Sequence, residues 1–308
     1  ASCSAILDAF KLAPDAPHMS THIDLIGFAH TPFGRLPGAD VETLMATVAR
    51  DAIEDAGLQA SDIDAVVIGH FNPGFVPQSF TAGMASGLMP GLEMLPAVRV
   101  ENACATGSAA IHQAAMAIRA GTARRVLAIG VEVMSLQPTS EIGKGLLQAS
   151  YVKEEAGTPA GFAGIFARMA DAYADRFHDP HPEMARIAVK NHANGVHNPL
   201  AQLRKEVSLE VCSNEGIDNP RVVGRLLRSD CSPISDGAAA VVLCASDGRP
   251  ARSSGVRLRA VAQATDLMPM SRRDMSLMAG ARVAWQRLLE NAGLTLDDLD
   301  CVETHDCF

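Results

Sequence analysis

The sequence has few aromatic residues and no long uninterrupted apolar run. Only 4% of its 308 residues are Phe, Trp or Tyr, although 48% are hydrophobic. That apolar content supports a substantial core, and the chain is longer than one typical domain. Because no run approaches the roughly 18 apolar residues of a membrane span, we expect no membrane partner.

Basic residues are scarce relative to acidic ones. The chain has 26 Lys and Arg against 35 Asp and Glu, which gives a net charge of −9. Such a field repels polyanions, so we expect no nucleic-acid partner, and a phosphate-bearing ligand would need a local basic patch. The seven cysteines form no dense framework. Their odd number indicates reduced thiols and a cytoplasmic location.

Strand-like runs alternate with helix-like segments along the chain. The runs lie near residues 22, 64, 95, 124 and 238, and this alternation predicts an α/β fold of parallel strands with crossover helices. Between the first two runs, residues 41–57 place Leu44, Val48 and Ala52 on one helical face. The expected helix ends at Gly57.

An internal repeat suggests two similar halves. DAGLQASDIDAVVIGH from Asp55 recurs as NAGLTLDDLDCVETHD from Asn291, with Ala, Gly, Leu, Asp, Asp and Val in register. Each copy follows an amphipathic helix, the second expected over 275–290, and each is expected to lead into a strand. A chance match in Ala-rich sequence is the alternative. The second half is expected to be incomplete, so we expect the functional polypeptide to extend beyond Phe308.

Composition divides the chain into four parts. Residues 1–18 have the character of a leader or tag and lie outside the predicted fold. We expect an N-terminal domain over 19–135 plus 230–250, an inserted domain over 136–229 and an incomplete C-terminal domain over 251–308. The insertion concentrates cations that could meet phosphates, although scattered surface charge is the alternative for each. These cations are Lys144, Arg168, Arg186, Lys190, Arg204, Lys205, Arg221, Arg225 and Arg228.

Cys104 is a candidate nucleophile because it is expected where a strand turns into a helix. A helix start presents unpaired N–H groups and the positive end of the helix dipole, which favour a thiolate. Ala103, Ala105 and Gly107 are small enough to let a thioester approach, and the N–H groups could hold its oxyanion. The alternative is a small buried cysteine at a tight turn.

Several segments together resemble one enzyme family. VENACATGSAAIHQAAMAIRAGTARRVLAIGVEVMS from Val100 resembles the active-site segment of thiolases, and SPISDGAAAVVLCAS from Ser232 resembles the strand that returns from their loop domain. FGR from Phe33 resembles the segment after their first strand. VKNHANGVHNPLAQ from Val189 and THDCF from Thr304 are similar to the sterol carrier protein-type thiolase and acetyl-CoA acetyltransferase branch.

The resemblance covers Ile23 to Phe308 and implies a fold and an activity. The implied fold has duplicated βαβαβ halves in α-β-α-β-α layers with an inserted loop domain for CoA. The implied activity is acyl transfer that forms or cleaves 3-ketoacyl-CoA through an acylated Cys104. The resemblance also implies a homodimer or homotetramer, and it implies no cofactor apart from CoA as substrate.

Two residues near the end of the sequence take implied roles beside Cys104. His305 stands where thiolases have an asparagine that faces the thioester oxygen, and a histidine N–H can serve there. A satisfied structural histidine is the alternative. Cys307 is either a proton-transfer thiol or a buried neighbour.

Four further residues are candidates for binding the substrate. Lys190 and Arg225 are expected to meet CoA from the insertion, and Ser235 and Gly107 from the core. No metal is expected. Cys301, Glu303, His305 and Cys307 would share one face of a strand, but alternate residues there lie roughly 6.6 Å apart and do not converge on one ion.

Two thiolase motifs, Gly-His-Pro and Cys-x-Gly, do not occur in the chain. Without them two other functions stay open. One is a retro-aldol lyase on hydroxyacyl-CoA with an OB-fold partner protein, which the presence of Cys104 disfavours. The other is a non-catalytic acyl-CoA-binding protein.

Overall fold

The computed structural model describes residues 22–248 and 255–308, so the predicted leader over 1–18 lies outside the described residues. The strands are β1 Ile23–His30, β2 Ala65–Gly69, β3 Ala97–Val100, β4 Arg125–Glu132, β5 Arg221–Val223, β6 Leu226–Leu227, β7 Gly237–Ala245 and β8 Val256–Leu258. The helices are α1 Val41–Asp55, α2 Thr106–Arg119, α3 Thr139–Leu147, α4 Val152–Glu155, α5 Phe162–Arg176, α6 His181–His197, α7 Leu209–Ser213 and α8 Ala279–Ala292.

Six strands form one mixed sheet in the order β3-β2-β4-β7-β1-β8. β2 is parallel to β3 and β4, as the alternation predicts. β7 is antiparallel to both β4 and β1, so the prediction of parallel strands is wrong there. The reason is the 136–229 segment: the chain leaves the sheet at Glu132 and returns at Gly237, directly opposite it. A strand that starts where its neighbour ends must run the other way.

Helices cover both faces of the sheet. Asp40 caps α1 by accepting a hydrogen bond from the Thr43 N–H at 2.8 Å, and the helix stops before Gly57, whose φ of 67° is left-handed. The predicted apolar face of α1 is buried against β1, β4 and β7. α2 packs on the opposite face. The α/β class is therefore confirmed, with helices on both faces of a central mixed sheet.

The internal repeat is present as local structure. α8 ends before Gly293, whose φ is 65°, as α1 ends before Gly57. A short 3-10 helix follows each glycine, and in each a carboxylate accepts the N–H of the residue before the turn. The two pairs are Gln59 N–H to Asp62 at 2.9 Å and Thr295 N–H to Asp298 at 2.8 Å.

The strand expected after the second copy is not formed. β2 follows the first copy and lies between β3 and β4, whereas 299–308 has no strand beside it among the described residues. A strand needs a partner for its N–H and C=O groups, and the residues after the second copy have none. No residue of α8 is buried, in contrast to α1.

The 136–229 segment folds beside the sheet. It consists of α3 to α7 and the two-stranded β5–β6 sheet, and Ala185, Ala188 and Cys212 form a small separate core within it. Its role as an inserted domain for CoA stays a prediction. In the described part of the chain, no helix combines the length and apolarity that spanning a bilayer requires.

Asp236 hydrogen-bonds to the segments that follow β1 and β4 at one end of the sheet's central strands. Its carboxylate is fully buried and accepts the N–H groups of Met134 and Ser135 at 2.8 Å and of Leu36 at 3.2 Å. Burial alone would raise the pKa of Asp236, but the hydrogen bonds from Ser135, Leu36 and Met134 outweigh it, so the pKa is below its usual value. The segments after β1 and β4 are thereby tied to the start of β7.

We expect Asp236→Asn to lower the free energy of unfolding by about 3 kcal/mol, because an amide cannot accept all of these bonds in a buried site. Asp247→Asn is the matched control, since Asp247 is exposed and pairs with Arg124 at 3.2 Å. It should lose less than about 1 kcal/mol in urea titrations.

The Asp236 carboxyl should also make the free energy of unfolding depend on pH. Its pKa is lowered by folding, so its contribution is present above the unfolded pKa of about 3.9 and is lost as pH falls through the folded value. Wild type should therefore lose more stability than Asp236→Asn below about pH 4. If acidification below about pH 4 lowered the free energy of unfolding equally in Asp236→Asn and Asp247→Asn, this role of Asp236 would be contradicted.

Candidate active site

Cys104 lies in a 3-10 turn between β3 and α2, at the predicted junction of strand and helix. Ala103 has a φ of 46°, which costs an L-residue about 1–2 kcal/mol. Two hydrogen bonds hold it there: its N–H donates to Glu101 at 2.5 Å, and its carbonyl accepts the Thr106 hydroxyl at 2.6 Å. The turn leaves Cys104 exposed at the end of the sheet.

His305 and Cys307 lie beside Cys104. One ligand atom from each, the two Sγ atoms and a ring nitrogen, all fall within 4.8 Å of one another. The structure therefore brings together the three residues predicted to be catalytic, although their roles stay predictions. Cys104 and His305 are far apart in the sequence. The fold therefore brings them together, and no local sequence motif could have done so.

Hydrogen bonds and ring contacts hold the 304–308 segment next to Cys104. The Asn191 amide donates to the Asp306 carboxylate at 3.0 Å, and the Ser232 N–H donates to the Cys307 carbonyl at 3.1 Å. The Phe308 ring stacks on Phe166, with centroids 4.4 Å apart. Sequence reasoning missed these contacts, although Asn191, Ser232 and Asp306 lie in segments that carry the family resemblance.

The cluster makes Cys104 acidic. A hydrogen bond from Cys307 and one from His305 lower the pKa of Cys104 to about 5, against the opposing effect of burial. The same bond to Cys104, together with burial, raises the pKa of Cys307, and the bond to Cys104 raises that of His305. At neutral pH the structure therefore supports a Cys104 thiolate that accepts from a Cys307 thiol. The sequence predicted an acidic Cys104 but attributed it to the helix start.

Cys104 and His305 line two cavities. The first has a volume of about 410 Å³, and Gly107, Gly130 and Ser235 are among its lining residues. A Cβ atom on Gly107 or Gly130 would meet nothing within 4 Å, so these glycines keep the space open. The second, of about 420 Å³, extends past Cys307 to Phe166, Arg273, Met278 and Phe308. Both cavities therefore adjoin the cluster.

The four predicted substrate-binding residues are not all in one place. Ser235 and Gly107 line the first cavity, whereas Lys190 and Arg225 line neither cavity beside Cys104. Arg225 donates to Asp171 and to Asp179, each at 2.8 Å, and these carboxylates raise its pKa. Arg273 is the cation that does line the second cavity, and sequence reasoning missed it. The proposed role of each residue in binding CoA stays a prediction.

Sequence reasoning also missed the carboxylate of Glu132, which lies in the wall of the first cavity. Glu132 ends β4, lines this cavity and accepts the Asn72 N–H at 3.2 Å. His70, fully buried at the end of β2, places its Nε2 3.4 Å from Glu132. The two residues lie at the same edge because β2 and β4 are parallel neighbours.

Comparisons of this chain with a protein family, with individual proteins and with solved structures agree with one another. The family described as "Thiolase, N-terminal domain" matches residues 23–247. The chain is 34% identical over 291 residues to the acetyl-CoA acetyltransferase of Methanothermobacter thermautotrophicus, covering 93% of this chain and 74% of that protein. It is 29% identical over 320 residues to human sterol carrier protein 2, covering 96% and 56%. The solved Ltp2-ChsH2(DUF35) aldolase has the same fold, with a TM-score of 0.73, 22% identity and coverage of 91% and 72%.

We expect iodoacetamide to modify Cys104 with a rate that rises through a midpoint near pH 5 and is constant above about pH 6.5, because the thiolate is the nucleophile. Cys231 is the internal control, since burial and Asp230 raise its pKa to about 11. It should stay unmodified at pH 7 in peptide mapping.

Removal of the His305 hydrogen-bond donor tests whether the cluster causes the low pKa of Cys104. His305→Ala should move the Cys104 midpoint upward, so that labelling at pH 6 slows while labelling at pH 9 is retained. A rate that still climbs from pH 7 to pH 9 in wild type would contradict the role of the cluster.

Proposed function

Because this chain belongs to the thiolase family, we propose that it is an acetyl-CoA C-acyltransferase in which Cys104 forms the acyl-enzyme. The observation that supports the proposal is the position of Cys104, which lies beside His305 and Cys307 and lines two cavities. A nucleophile needs space for the acyl group on one side and for the leaving group on the other, and these cavities provide both.

In the first step the Cys104 thiolate attacks the thioester carbonyl of acyl-CoA. A bond forms between Sγ and the carbonyl carbon, the bond between that carbon and the CoA sulfur breaks, and the CoA thiolate leaves. The His305 N–H stabilises the oxyanion of the tetrahedral intermediate, in place of the asparagine of other thiolases. His305 is suited to this role because it donates to a negatively charged sulfur in the free protein.

Acylation of Cys104 changes the acidity of Cys307. The hydrogen bond to the Cys104 thiolate is the first cause of the raised pKa of Cys307, and the negative charge of that thiolate disappears once Sγ carries an acyl group. The Cys307 proton can then pass to the departing CoA thiolate. This leaves Cys307 as a thiolate while Cys104 is acylated.

In the second step the Cys307 thiolate removes the α-proton of a second acyl-CoA. The resulting carbanion attacks the acyl carbon on Cys104, a carbon–carbon bond forms, and the Cys104 thiolate leaves. Cleavage of 3-ketoacyl-CoA is the reverse sequence. In this scheme Cys307 is the base that removes the α-proton.

The finer features of the prediction belong to the same proposal. We place the acyl group in the cavity with Gly107, Gly130 and Ser235, and the CoA moiety toward the 136–229 segment. We also propose a homodimer or homotetramer, a cytoplasmic location and an OB-fold partner protein. The partner is supported by the DUF35 component that the name of the Ltp2-ChsH2(DUF35) aldolase gives beside Ltp2.

Retro-aldol cleavage of hydroxyacyl-CoA is the second candidate function. Its support is the aldolase among the structures of similar fold, but at 22% identity that likeness concerns the fold alone. An aldolase of this type has no need of an acidic Cys104, so the cluster favours acyl transfer. A non-catalytic acyl-CoA-binding protein is the third candidate.

Incubation with acetyl-CoA should increase the intact mass by one acetyl group located on Cys104, and Cys104→Ala should abolish the increase. Cys307→Ala should still be acetylated but should form 3-ketoacyl-CoA roughly 10²–10⁴-fold more slowly, because it lacks the base. Cys301→Ser is the matched control, since Cys301 is exposed and outside the cluster.

The rival functions give different results in the same assay. Release of an aldehyde or ketone from hydroxyacyl-CoA without acetylation would support the lyase. Tight binding of acetyl-CoA with Cys104 unmodified would support the non-catalytic protein. Either result overturns the acyltransferase proposal.

A further inference from the structure

We propose that Cys104, His305 and Cys307 form a site for a soft divalent metal ion of the zinc class, and that the bound ion prevents acylation. Binding of the ion depends only on the side chains described above. Its inhibitory effect rests on the proposed function, because it concerns the acylation of Cys104.

The donor set fits the coordination chemistry of zinc. Two sulfurs and one imidazole nitrogen make a Cys2His set, which leaves a fourth position of a tetrahedral ion for water. With Zn–S bonds of about 2.3 Å and Zn–N bonds of about 2.0 Å, the ligand atoms of such a site lie roughly 3.5–3.8 Å apart. The three ligand atoms here are within 4.8 Å of one another, so side-chain rotations close the remaining gap.

Convergence of the three donors depends on the fold. His305 and Cys307 come from the segment after α8, whereas Cys104 comes from the turn before α2, so the three donors belong to two separate parts of the chain. This arrangement removes the objection that applies to Cys301, Glu303, His305 and Cys307, which come from a single segment. In the described part of the chain, the Cys104 cluster is the one group of three or more His, Cys, Asp or Glu residues whose ligand atoms lie close enough together to hold one metal ion.

A hydrated ion can reach the cluster. Cys104 and His305 are exposed, and both line the two flanking cavities. The other cysteines of the sheet and insertion offer no comparable site, since Cys212 and Cys244 are fully buried. The net charge of −9 also favours the approach of a cation over that of an anion.

The ion and the substrate compete for the same electron pair. Coordination uses the Cys104 Sγ lone pair that would attack the thioester. As the other two bonds form, the Cys307 proton passes to solvent, and the proton on the His305 nitrogen that faces Cys104 passes to solvent or to the other ring nitrogen. No atom is oxidised or reduced, so removal of the ion by a chelator restores the free thiolate.

Cobalt(II) is the probe, because its thiolate complexes absorb in the near ultraviolet and report how many sulfurs are bound. Titration of the reduced 308-residue protein should give one cobalt per chain with the absorption of two thiolates. Cys104→Ala and Cys307→Ala should each reduce that absorption by about half, and His305→Ala should weaken binding at least tenfold. Cys301→Ser should bind as wild type does, and zinc should displace the cobalt.

The second arm measures acetylation of Cys104 by acetyl-CoA with and without one equivalent of zinc. Zinc should slow acetylation at least tenfold, and a chelator should restore the rate. A protein that acetylates when metal-free but shows no stoichiometric cobalt–thiolate absorption overturns the metal site and leaves the proposed function intact. A protein that binds cobalt through two thiolates but never acetylates overturns the proposed function and leaves the metal site intact.

Discussion

The carboxylate of Asp236 is the constraint on which the rest of the site depends. It binds the segments that follow β1 and β4 to the start of β7. Met134 is one of its contacts, Phe33 lies three residues before its contact Leu36, and Ser235 directly precedes Asp236. All three residues line the cavity beside Cys104. One buried charge, satisfied by hydrogen bonds rather than by a cation, therefore sets the shape of the space in which an acyl group would lie.

The second organising feature is the unequal acidity of two neighbouring thiols. Cys104 and Cys307 have the same chemistry, but their hydrogen bond and His305 assign the negative charge to Cys104. Because the assignment depends on the charge itself, a change at one sulfur alters the other. The cluster therefore behaves as one coupled group, in which a proton moves when a bond to Cys104 forms or breaks.

Sequence predicted the features that depend on local patterns and missed those that depend on long-range pairing. Helix α1, its stop at Gly57 and the position of Cys104 follow from periodicity and turn chemistry. The second copy of the repeat reproduced its helix and turn, but a strand also needs a neighbour, which no local pattern supplies. The contacts of Asn191 with Asp306 and of Arg225 with Asp171 likewise depend on how distant segments meet.

The segment that carries His305 and Cys307 is attached differently from the turn between β3 and α2 that carries Cys104. It forms no strand and is held by the Asn191 hydrogen bond, one backbone hydrogen bond, the contacts of the Phe308 ring with Phe162 and Phe166, and the hydrogen bonds of His305 and Cys307 to Cys104. Segments with so few buried contacts open at lower free energy than the cooperative core. Partial opening would remove both partners from Cys104 while the sheet stays folded, so the chemistry of the site can be lost well before the fold is.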